Sequence, residues 1–380
     1  MKILQVAYKS SISGGEKVLF DLASSLRARG HEVSAVCPTP GQLPDELRKE
    51  GITTRIIPYR KTYDIRAAKR IADFIRGERF DVLHSHAMLT NVICRPAGHW
   101  ASVPVSVSTQ HVPTALLQGS RGRGLFQRLR GLYYRLLDNY TSRFNQAVIA
   151  VSEAVKRDLL KQGIPESKVV TIRNGVGIPP PGSFAVSEAR KKMGIGEDAS
   201  VVGAAGRLSA QKDYPTLLRA AKEVLRSFPD ARFLIAGEGP ARDELVEMAG
   251  EMGLKERVEF LGYRNNIMEV ISAFDIFALS SLWEGLPLVV LEAMALAKPV
   301  VATAVPGTAE AVAEGETGYL VPLGDHGALA GKIIKLLEDP SRARTMGRAG
   351  RRRAEEHFTL ERMVDEHENL YLDLFSQSGR

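Results

Sequence analysis

Short apolar runs alternate with longer amphipathic stretches along almost the whole chain. Such alternation is typical of βαβ units, in which parallel strands form a sheet and the helices cover both of its faces. The sequence therefore predicts an α/β protein of the doubly wound type. The strands expected in the first half are 3–7, 33–36, 54–57, 82–84, 103–108 and 148–151, and those expected in the second half are 201–205, 233–236, 258–261, 276–279 and 299–302.

A break in this alternation divides the chain. Residues 179–183 read Pro-Pro-Pro-Gly-Ser, a composition typical of a linker. Because 380 residues exceed one ordinary core, we expect two Rossmann-like domains, 1–178 and 179–358, which face one another across a cleft. Ligands are expected at the carboxyl ends of the strands. Residues 359–375 predict a final helix.

The segment from Glu284 to Glu292 carries the strongest functional signal. Pro287 has no N–H group and a fixed φ angle, so a helix is expected to begin at or next to it. Glu292 then lies about 7.5 Å further along the helix axis, close to the distance from a diphosphate to its ribose. The segment predicts an anion site at the positive end of the helix dipole, formed by the backbone N–H groups of Gly285, Leu286, Leu288 and Val289.

Two cations precede this segment in the same half. Arg207 and Lys212 follow the predicted strand 201–205, so they lie in a loop of the kind that lines the ligand crevice of open α/β sheets. Cations in this loop and an anion-binding helix start fit a diphosphate well.

These residues resemble the signature of the family 4 retaining glycosyltransferases, which have the two-domain GT-B fold. The resemblance rests on Arg207 with Lys212, and on Glu284 and Glu292 with seven residues between them, opening with Glu-Gly-Leu-Pro. Three further matches extend it over essentially the whole chain. They are Gly14-Gly15-Glu16 after the first strand, His111 after the fifth, and Asn174-Gly175-Val176 at the end of the first domain.

The resemblance implies roles for individual residues. Arg207 and Lys212 would neutralise the departing diphosphate, Glu284 would hold the hydroxyl groups of the donor sugar, and Glu292 would hold those of the ribose. His111 would contact the transferred sugar or the acceptor. The resemblance also implies that the final helix, about 359–380, packs back on the first domain.

Three glycine loops complete the expected nucleotide site. Gly14 and Gly15 precede a helix predicted over 16–26, and glycine there would allow backbone N–H groups to approach a phosphate. An ordinary tight turn is the alternative. Gly237 follows the strand 233–236, and Gly262 with Tyr263 follows 258–261, so these residues are our candidates for the walls around the base, with plain turns as the alternative.

The function expected from the resemblance is retaining transfer of a sugar from a UDP- or GDP-sugar to a glycan or lipid-linked acceptor. Cell-envelope polysaccharide or lipopolysaccharide synthesis is the expected setting. The chain has no Asp-x-Asp motif, which commonly anchors a diphosphate through a metal, so we expect metal independence. The nucleotide sugar is a co-substrate, and no separate cofactor is expected.

Two other functions remain open. A nucleotide-sugar 2-epimerase would share the nucleotide-binding half but needs acid and base carboxylates in the first half, where no pair stands out. A two-domain sugar- or nucleotide-binding protein without activity is the third reading. The pair His84 and His86 would share one face of a strand, a spacing that permits metal binding, although structure or acceptor contact is the preferred interpretation.

The charge balance predicts an acidic partner. The net charge is +7 and the isoelectric point about 9.3. Between residues 121 and 143, arginines alternate with an apolar stripe at helical spacing, a pattern typical of helices that lie on anionic membranes. A helix packed in the core with solvated arginines is the alternative. The arginines are 121, 123, 128, 130, 135 and 143, and the apolar residues are 125, 126, 129, 132, 133, 136, 137 and 140.

Composition limits the remaining choices. No recognised nucleic-acid module accompanies the charge, so nucleic acid is not an expected partner. No apolar run approaches the ~20 residues of a membrane span, and the start of the chain does not read as a signal peptide. A cytoplasmic protein is therefore expected, either free or bound peripherally at the inner face of the cytoplasmic membrane. Cys37 and Cys94 have no metal-type spacing.

Overall fold

The computed structural model describes residues 1–59, 64–113 and 125–379. The chain divides into two compact units. The N-terminal unit consists of Met1–Asn174 together with the segment Leu360–Arg380, and the C-terminal unit consists of Gly175–Thr359. Each unit contains one parallel sheet flanked by helices.

The sheet of the N-terminal unit has seven strands in the order β3-β2-β1-β4-β5-β6-β7. All of the strand pairs are parallel. The strands are β1 (Lys2–Val6), β2 (Glu32–Cys37), β3 (Thr53–Ile56), β4 (Val82–His86), β5 (Val105–Gln110), β6 (Ala147–Ala150) and β7 (Val169–Thr171).

The helices of the N-terminal unit cover the sheet and bury apolar faces against it. Ile71, Ile75 and Leu83, for example, belong to one buried cluster. The described helices are α1 (Gly14–Ala28), α2 (Gln42–Lys49), α3 (Ile65–Glu78), α4 (Met88–Trp100), α5 (Leu125–Ser142), α6 (Glu153–Lys161) and the final helix α15 (Leu360–Gln377).

The sheet of the C-terminal unit has six parallel strands in the order β10-β9-β8-β11-β12-β13. These strands are β8 (Val201–Ala205), β9 (Arg232–Ala236), β10 (Val258–Gly262), β11 (Ile276–Leu279), β12 (Val300–Thr303) and β13 (Gly318–Val321). The helices are α7 (Val186–Lys192), α8 (Tyr214–Ser227), α9 (Arg242–Glu251), α10 (Ile267–Ser272), α11 (Leu288–Ala295), α12 (Pro306–Ala311), α13 (His326–Glu338) and α14 (Pro340–His357).

The expected strands are present, with ends shifted by up to two residues, and two strands were not predicted. The missed strands, β7 and β13, lie at an edge of their sheets and contain three and four residues. Apolar runs this short carry no usable periodicity, so only pairing with a neighbouring strand identifies them.

Helix α5 buries polar residues, whereas an ordinary amphipathic helix buries its apolar face. Its buried residues include Asp138, Thr141 and Ser142, and Asp138 forms a buried ion pair with Arg95 of α4. Among the described members of the apolar stripe, those at positions 129, 132, 133, 136 and 140 are 46 to 59% exposed, and Leu137 is half-buried. Packing of this stripe in the core, one of the two sequence interpretations, is therefore wrong for the exposed positions. Residues 121 and 123, and the side chains of 125, 126, 128 and 130, lie outside the described part.

In the described part of the chain, no helix combines the length and the apolar character that crossing a membrane requires.

Candidate functional site

Each sheet has one point at which the order of its strands reverses. In the N-terminal unit β1 lies beside β4, and in the C-terminal unit β8 lies beside β11, so the chain proceeds outward in opposite directions from each pair. The loops that follow such neighbouring strands diverge and leave a crevice in which ligands of open α/β sheets bind. Nearly all of the site residues expected from the sequence follow these strands or the strands next to them.

The loops after β8 and β11 bring Lys212 and Glu284 together. The Lys212 Nζ atom lies 2.6 Å from the Glu284 Oε1 atom, and the Ser281 hydroxyl donates a hydrogen bond of 2.7 Å to the same oxygen. The Lys212 and Glu284 side chains are only 12 and 7% exposed, so this ion pair is largely desolvated. The Ser280 hydroxyl donates to the Lys212 carbonyl oxygen at 2.8 Å, which fixes the loop that carries the lysine.

Gly206 determines how closely the lysine approaches the strand end. Its φ angle of 147° suits glycine, and a Cβ atom there would lie 2.9 Å from the Lys212 Cε atom. The Tyr214 hydroxyl donates to the Gly206 carbonyl oxygen at 3.0 Å and so connects this turn to α8. A side chain at position 206 would therefore both strain the backbone and displace the lysine.

Arg207 differs from Lys212 in its surroundings. It is exposed, and within the described ranges its guanidinium group forms no ion pair. A cation in this setting is available to a mobile anion, because no carboxylate competes for it.

The segment between β11 and α11 has the expected form. Pro287 directly precedes the helix, which begins at Leu288, so its missing N–H group leaves no helical hydrogen bond unmade. Gly307 of α12 packs against this segment, and a Cβ atom there would lie 2.5 Å from the Gly285 carbonyl oxygen and 2.7 Å from that of Glu284. A side chain at position 307 would therefore push the segment out of place. Glu292 is buried, one turn into the helix.

The loops after β8, β9 and β10 lie against one another. A Cβ atom on Gly237, whose φ angle is 146°, would lie 2.0 Å from the Gly206 carbonyl oxygen. The Gly237 N–H group donates to the Gly262 carbonyl oxygen at 2.9 Å, and Tyr263 beside it is 46% exposed. Gly237 is needed for the close approach of its loop to the one that carries Arg207, and the loop of Gly262 lies against that of Gly237.

The helix at the glycine pair of the N-terminal unit begins two residues earlier than expected. Gly14 and Gly15 are the first two residues of α1, where the expected helix began at residue 16, and neither has a positive φ angle. A Cβ atom on Gly15 would lie 3.2 Å from the Cδ2 atom of His111, whereas one on Gly14 would meet nothing within 4 Å. The small size of Gly15 therefore makes room for the imidazole of His111.

His111 rests on a buried polar cluster at the carboxyl end of β4. Its Nε2 atom lies 3.1 Å from the Nδ1 atom of His86, and the Nε2 atom of His86 lies 2.8 Å from the Oε1 atom of Gln5. Burial lowers the pKa of His111 to about 4, and burial also holds the pKa of His86 well below its usual range. Both rings are therefore neutral near pH 7.

His84 lies beside His86 but is occupied by other partners. The two ring centroids are 4.1 Å apart, as expected for side chains on one face of a strand. The two ring nitrogens of His84 lie 2.6 Å from the Tyr371 hydroxyl and 2.7 Å from the Thr109 hydroxyl. Within the described residues, no group of three or more histidine, cysteine or carboxylate side chains could hold a metal ion.

Several supporting residues carry no sequence signal. They are ordinary polar residues in or near strands and helices, and only the fold brings them to the site. These residues are Gln5, Ser280, Ser281 and Tyr214. Their hydrogen bonds fix the side chains that the sequence does identify.

Two family models match the chain, one for each half. The model described as Glycosyl transferases group 1 matches residues 186–353, and that described as Glycosyltransferase Family 4 matches residues 12–178. The alpha-maltose-1-phosphate synthase of Mycolicibacterium smegmatis is 30% identical over 78% of this chain and 79% of its own. The UDP-Gal:alpha-D-GlcNAc-diphosphoundecaprenol alpha-1,3-galactosyltransferase of Escherichia coli is 25% identical over 98% of this chain and 97% of its own.

Solved structures give the fold. The crystal structure of HepE from Anabaena in complex with UDP-glucose matches with a TM-score of 0.85 at 24% identity, covering 97% of this chain and 99% of that one. Sucrose-phosphate synthase from Thermosynechococcus elongatus matches with a TM-score of 0.84 at 21% identity, covering 99 and 100% of the two chains. The chain therefore has the GT-B fold and belongs to the group 1 glycosyltransferases of family 4.

Proposed function

We propose that this glycosyltransferase moves a sugar from a UDP-sugar to a lipid-linked or glycan acceptor, with retention of configuration and without a metal. The observation that carries the proposal is the arrangement after β8 and β11, where two cations and a glutamate lie beside a helix start. The names of the relatives support a uridine donor, since one uses UDP-Gal and one solved neighbour holds UDP-glucose.

The proposed chemistry depends on how the protein stabilises the charge of the leaving group. As the bond between the sugar C1 atom and the diphosphate oxygen breaks, negative charge develops on the diphosphate. Arg207 and Lys212 stabilise this charge, and the N–H groups at the start of α11 add to it. The acceptor hydroxyl oxygen bonds to C1 on the same face, and its proton passes to the departing diphosphate oxygen.

The remaining roles follow the family resemblance. Glu284 holds the donor sugar's hydroxyl groups, and Glu292 holds those of the ribose. His111 contacts the transferred sugar or the acceptor. The N-terminal unit is proposed to bind the acceptor and the C-terminal unit the nucleotide sugar.

The test is release of nucleoside diphosphate from UDP-, GDP- and ADP-sugars, with and without a membrane lipid extract, and with EDTA. Release from a UDP-sugar that requires the extract, persists in EDTA and disappears in Glu284→Ala is the expected result. Release that EDTA abolishes would overturn metal independence. Isomerisation of a UDP-sugar without any acceptor would instead favour a 2-epimerase.

We further propose that α5 lies on an anionic membrane surface. The outer face of the helix carries exposed leucines and tyrosines, together with the exposed Arg135. Arg143 extends this face, with its guanidinium carbon 3.4 Å from the Tyr140 ring centroid. The single acidic residue of the helix, Asp138, is buried against Arg95, so no carboxylate on this helix opposes an anionic lipid.

Vesicle sedimentation tests this surface. Binding to vesicles containing phosphatidylglycerol is expected at low salt, weakening as salt rises, with little binding to pure phosphatidylcholine. A double variant in which Leu132 and Leu136 are both replaced by Asn should bind less without unfolding, because both leucines are exposed. Leu323→Asn, at an equally exposed leucine of the C-terminal unit, is the matched control. Equal binding by all three proteins would contradict the proposal.

A further inference from the structure

The buried cluster beneath His111 contains more histidine than the proposed chemistry uses. His84, His86 and His367 are fully or almost fully buried, and His367 comes from the final helix α15. The ring centroids of His86 and His111 are 5.4 Å apart, and those of His84 and His367 are 5.6 Å apart. Burial lowers the pKa of His367 to about 4, so this ring too is neutral near pH 7.

The hydrogen bonds of the cluster have a direction. In the orientation that the Gln5 side chain adopts in this structure, its amide oxygen faces His86. An amide oxygen only accepts, so in this orientation the His86 Nε2 atom carries the proton. A neutral imidazole has one N–H group, so the His86 Nδ1 atom is an acceptor. The His111 Nε2 atom, 3.1 Å away, must then be the donor.

This direction fixes what His111 can offer to a ligand. Its only proton is used inside the protein, so its Nδ1 atom carries a lone pair. That atom has no hydrogen-bond partner in the described part of the chain, and the residue is partly exposed. His111 can therefore accept a hydrogen bond from a hydroxyl group but cannot donate one through Nδ1.

We propose that His86 is a positioning residue that holds His111 as its Nε2–H tautomer, so that the Nδ1 atom accepts a hydrogen bond from a hydroxyl group of the bound sugar or acceptor. The proposal rests on the proposed function for the identity of that hydroxyl. Gln5 sets the direction of the chain of hydrogen bonds, and Gly15 leaves room for the ring.

Nitrogen NMR of the full-length protein with 15N-labelled histidine tests the tautomer without any substrate. The chain has 8 histidines, and His111→Gln identifies the signal of His111. An Nε2–H tautomer near neutral pH is expected in the unaltered protein. An Nδ1–H tautomer, or an even mixture, would overturn the proposal whatever the variants do.

Two substitutions test the role of His86. His86→Leu should remove the preference of His111 for one tautomer and lower kcat/KM about tenfold, as expected for one hydrogen bond. His86→Asn can place an amide oxygen near the position of the His86 Nδ1 atom. It should therefore restore part of the tautomer preference of His111 and part of kcat/KM. A His86→Leu protein whose His111 keeps the Nε2–H tautomer would overturn the positioning role. If no sugar nucleotide is turned over, the proposed function fails, while the NMR experiment still decides the tautomer.

Discussion

In the C-terminal unit the side chains expected to hold the leaving group are charged, whereas in the N-terminal unit the side chains around His111 are buried and neutral. Lys212 and Glu284 form an ion pair, and the exposed Arg207 lies in the same loop as Lys212. His86 and His111 instead form a hydrogen-bonded chain whose pKa values burial has lowered. The difference suits the proposed roles, because a diphosphate needs opposite charge and a sugar hydroxyl needs a fixed acceptor.

The comparison predicts that acid destabilises the N-terminal unit first. Burial lowers the pKa of His84, His86 and His367 in the folded state below the unfolded value of about 6.5, so their contribution to stability is complete above that pH and is lost below it. For each pH unit below that value, each of the three histidines lowers the free energy of unfolding by about 1.4 kcal/mol, which is roughly 4 kcal/mol for the three together.

The two tryptophans separate the units in this experiment. Trp283→Phe leaves Trp100 to report on the N-terminal unit, and Trp100→Phe leaves Trp283 to report on the C-terminal unit. Denaturant unfolding at about pH 7.5 and about pH 5.5 should show the larger loss at Trp100. The C-terminal histidines His326 and His357 are 43 and 51% exposed, so an equal loss at Trp283 would contradict the comparison.

Breaking the ion pair should destabilise the C-terminal unit. Lys212→Ala leaves the buried Glu284 carboxylate without its cation, which costs about 3–5 kcal/mol. Adding Glu284→Gln should recover much of this, as measured by Trp283 fluorescence. Lys192→Ala breaks the more exposed pair with Glu269 and should cost only about 0–1 kcal/mol. Equal losses for the two lysines would show that burial of the pair does not matter.

Arg207 separates activity from stability. Since its side chain is exposed and forms no ion pair with another described residue, Arg207→Ala should leave the melting temperature unchanged. Turnover of the donor should fall about 10²–10³-fold. Arg344→Ala, at an exposed arginine of α14, is the control and should retain activity. Unchanged turnover in Arg207→Ala would remove this residue from the leaving-group site.

Gly15 gives the smallest expected effect. A methyl group there meets the His111 ring at 3.2 Å, so Gly15→Ala should shift the ring slightly and lower kcat/KM about 3- to 10-fold. The added methyl group of Gly14→Ala would have no atom within 4 Å, so this variant should leave kcat/KM unchanged. Its stability should be unchanged or slightly higher, by up to about 1 kcal/mol, because alanine favours the helix. If both variants behave alike, contact with His111 is not the reason for glycine at position 15.

The charged residues of the C-terminal unit share a sequence pattern, whereas the neutral cluster around His111 does not. Arg207, Lys212, Glu284 and Pro287 stand in a single pattern of spacing, and the structure places them in two neighbouring loops. The histidine cluster has no such pattern, because Gln5, His86, His111 and Tyr371 come from four separate parts of the chain. For α5 the periodicity predicted a helix but left open which face is buried.

The sequence by itself determined the alternation of strands and helices, the division into two halves and the charged residues after β8 and β11, because each depends on local periodicity or short spacing. Only the tertiary structure decided that Gly15 makes room for His111, that Lys212 is paired with Glu284, and that α5 exposes the leucines and tyrosines at 129, 132, 133, 136 and 140. Those facts depend on contacts between residues far apart in the chain, and local pattern contains no record of such contacts.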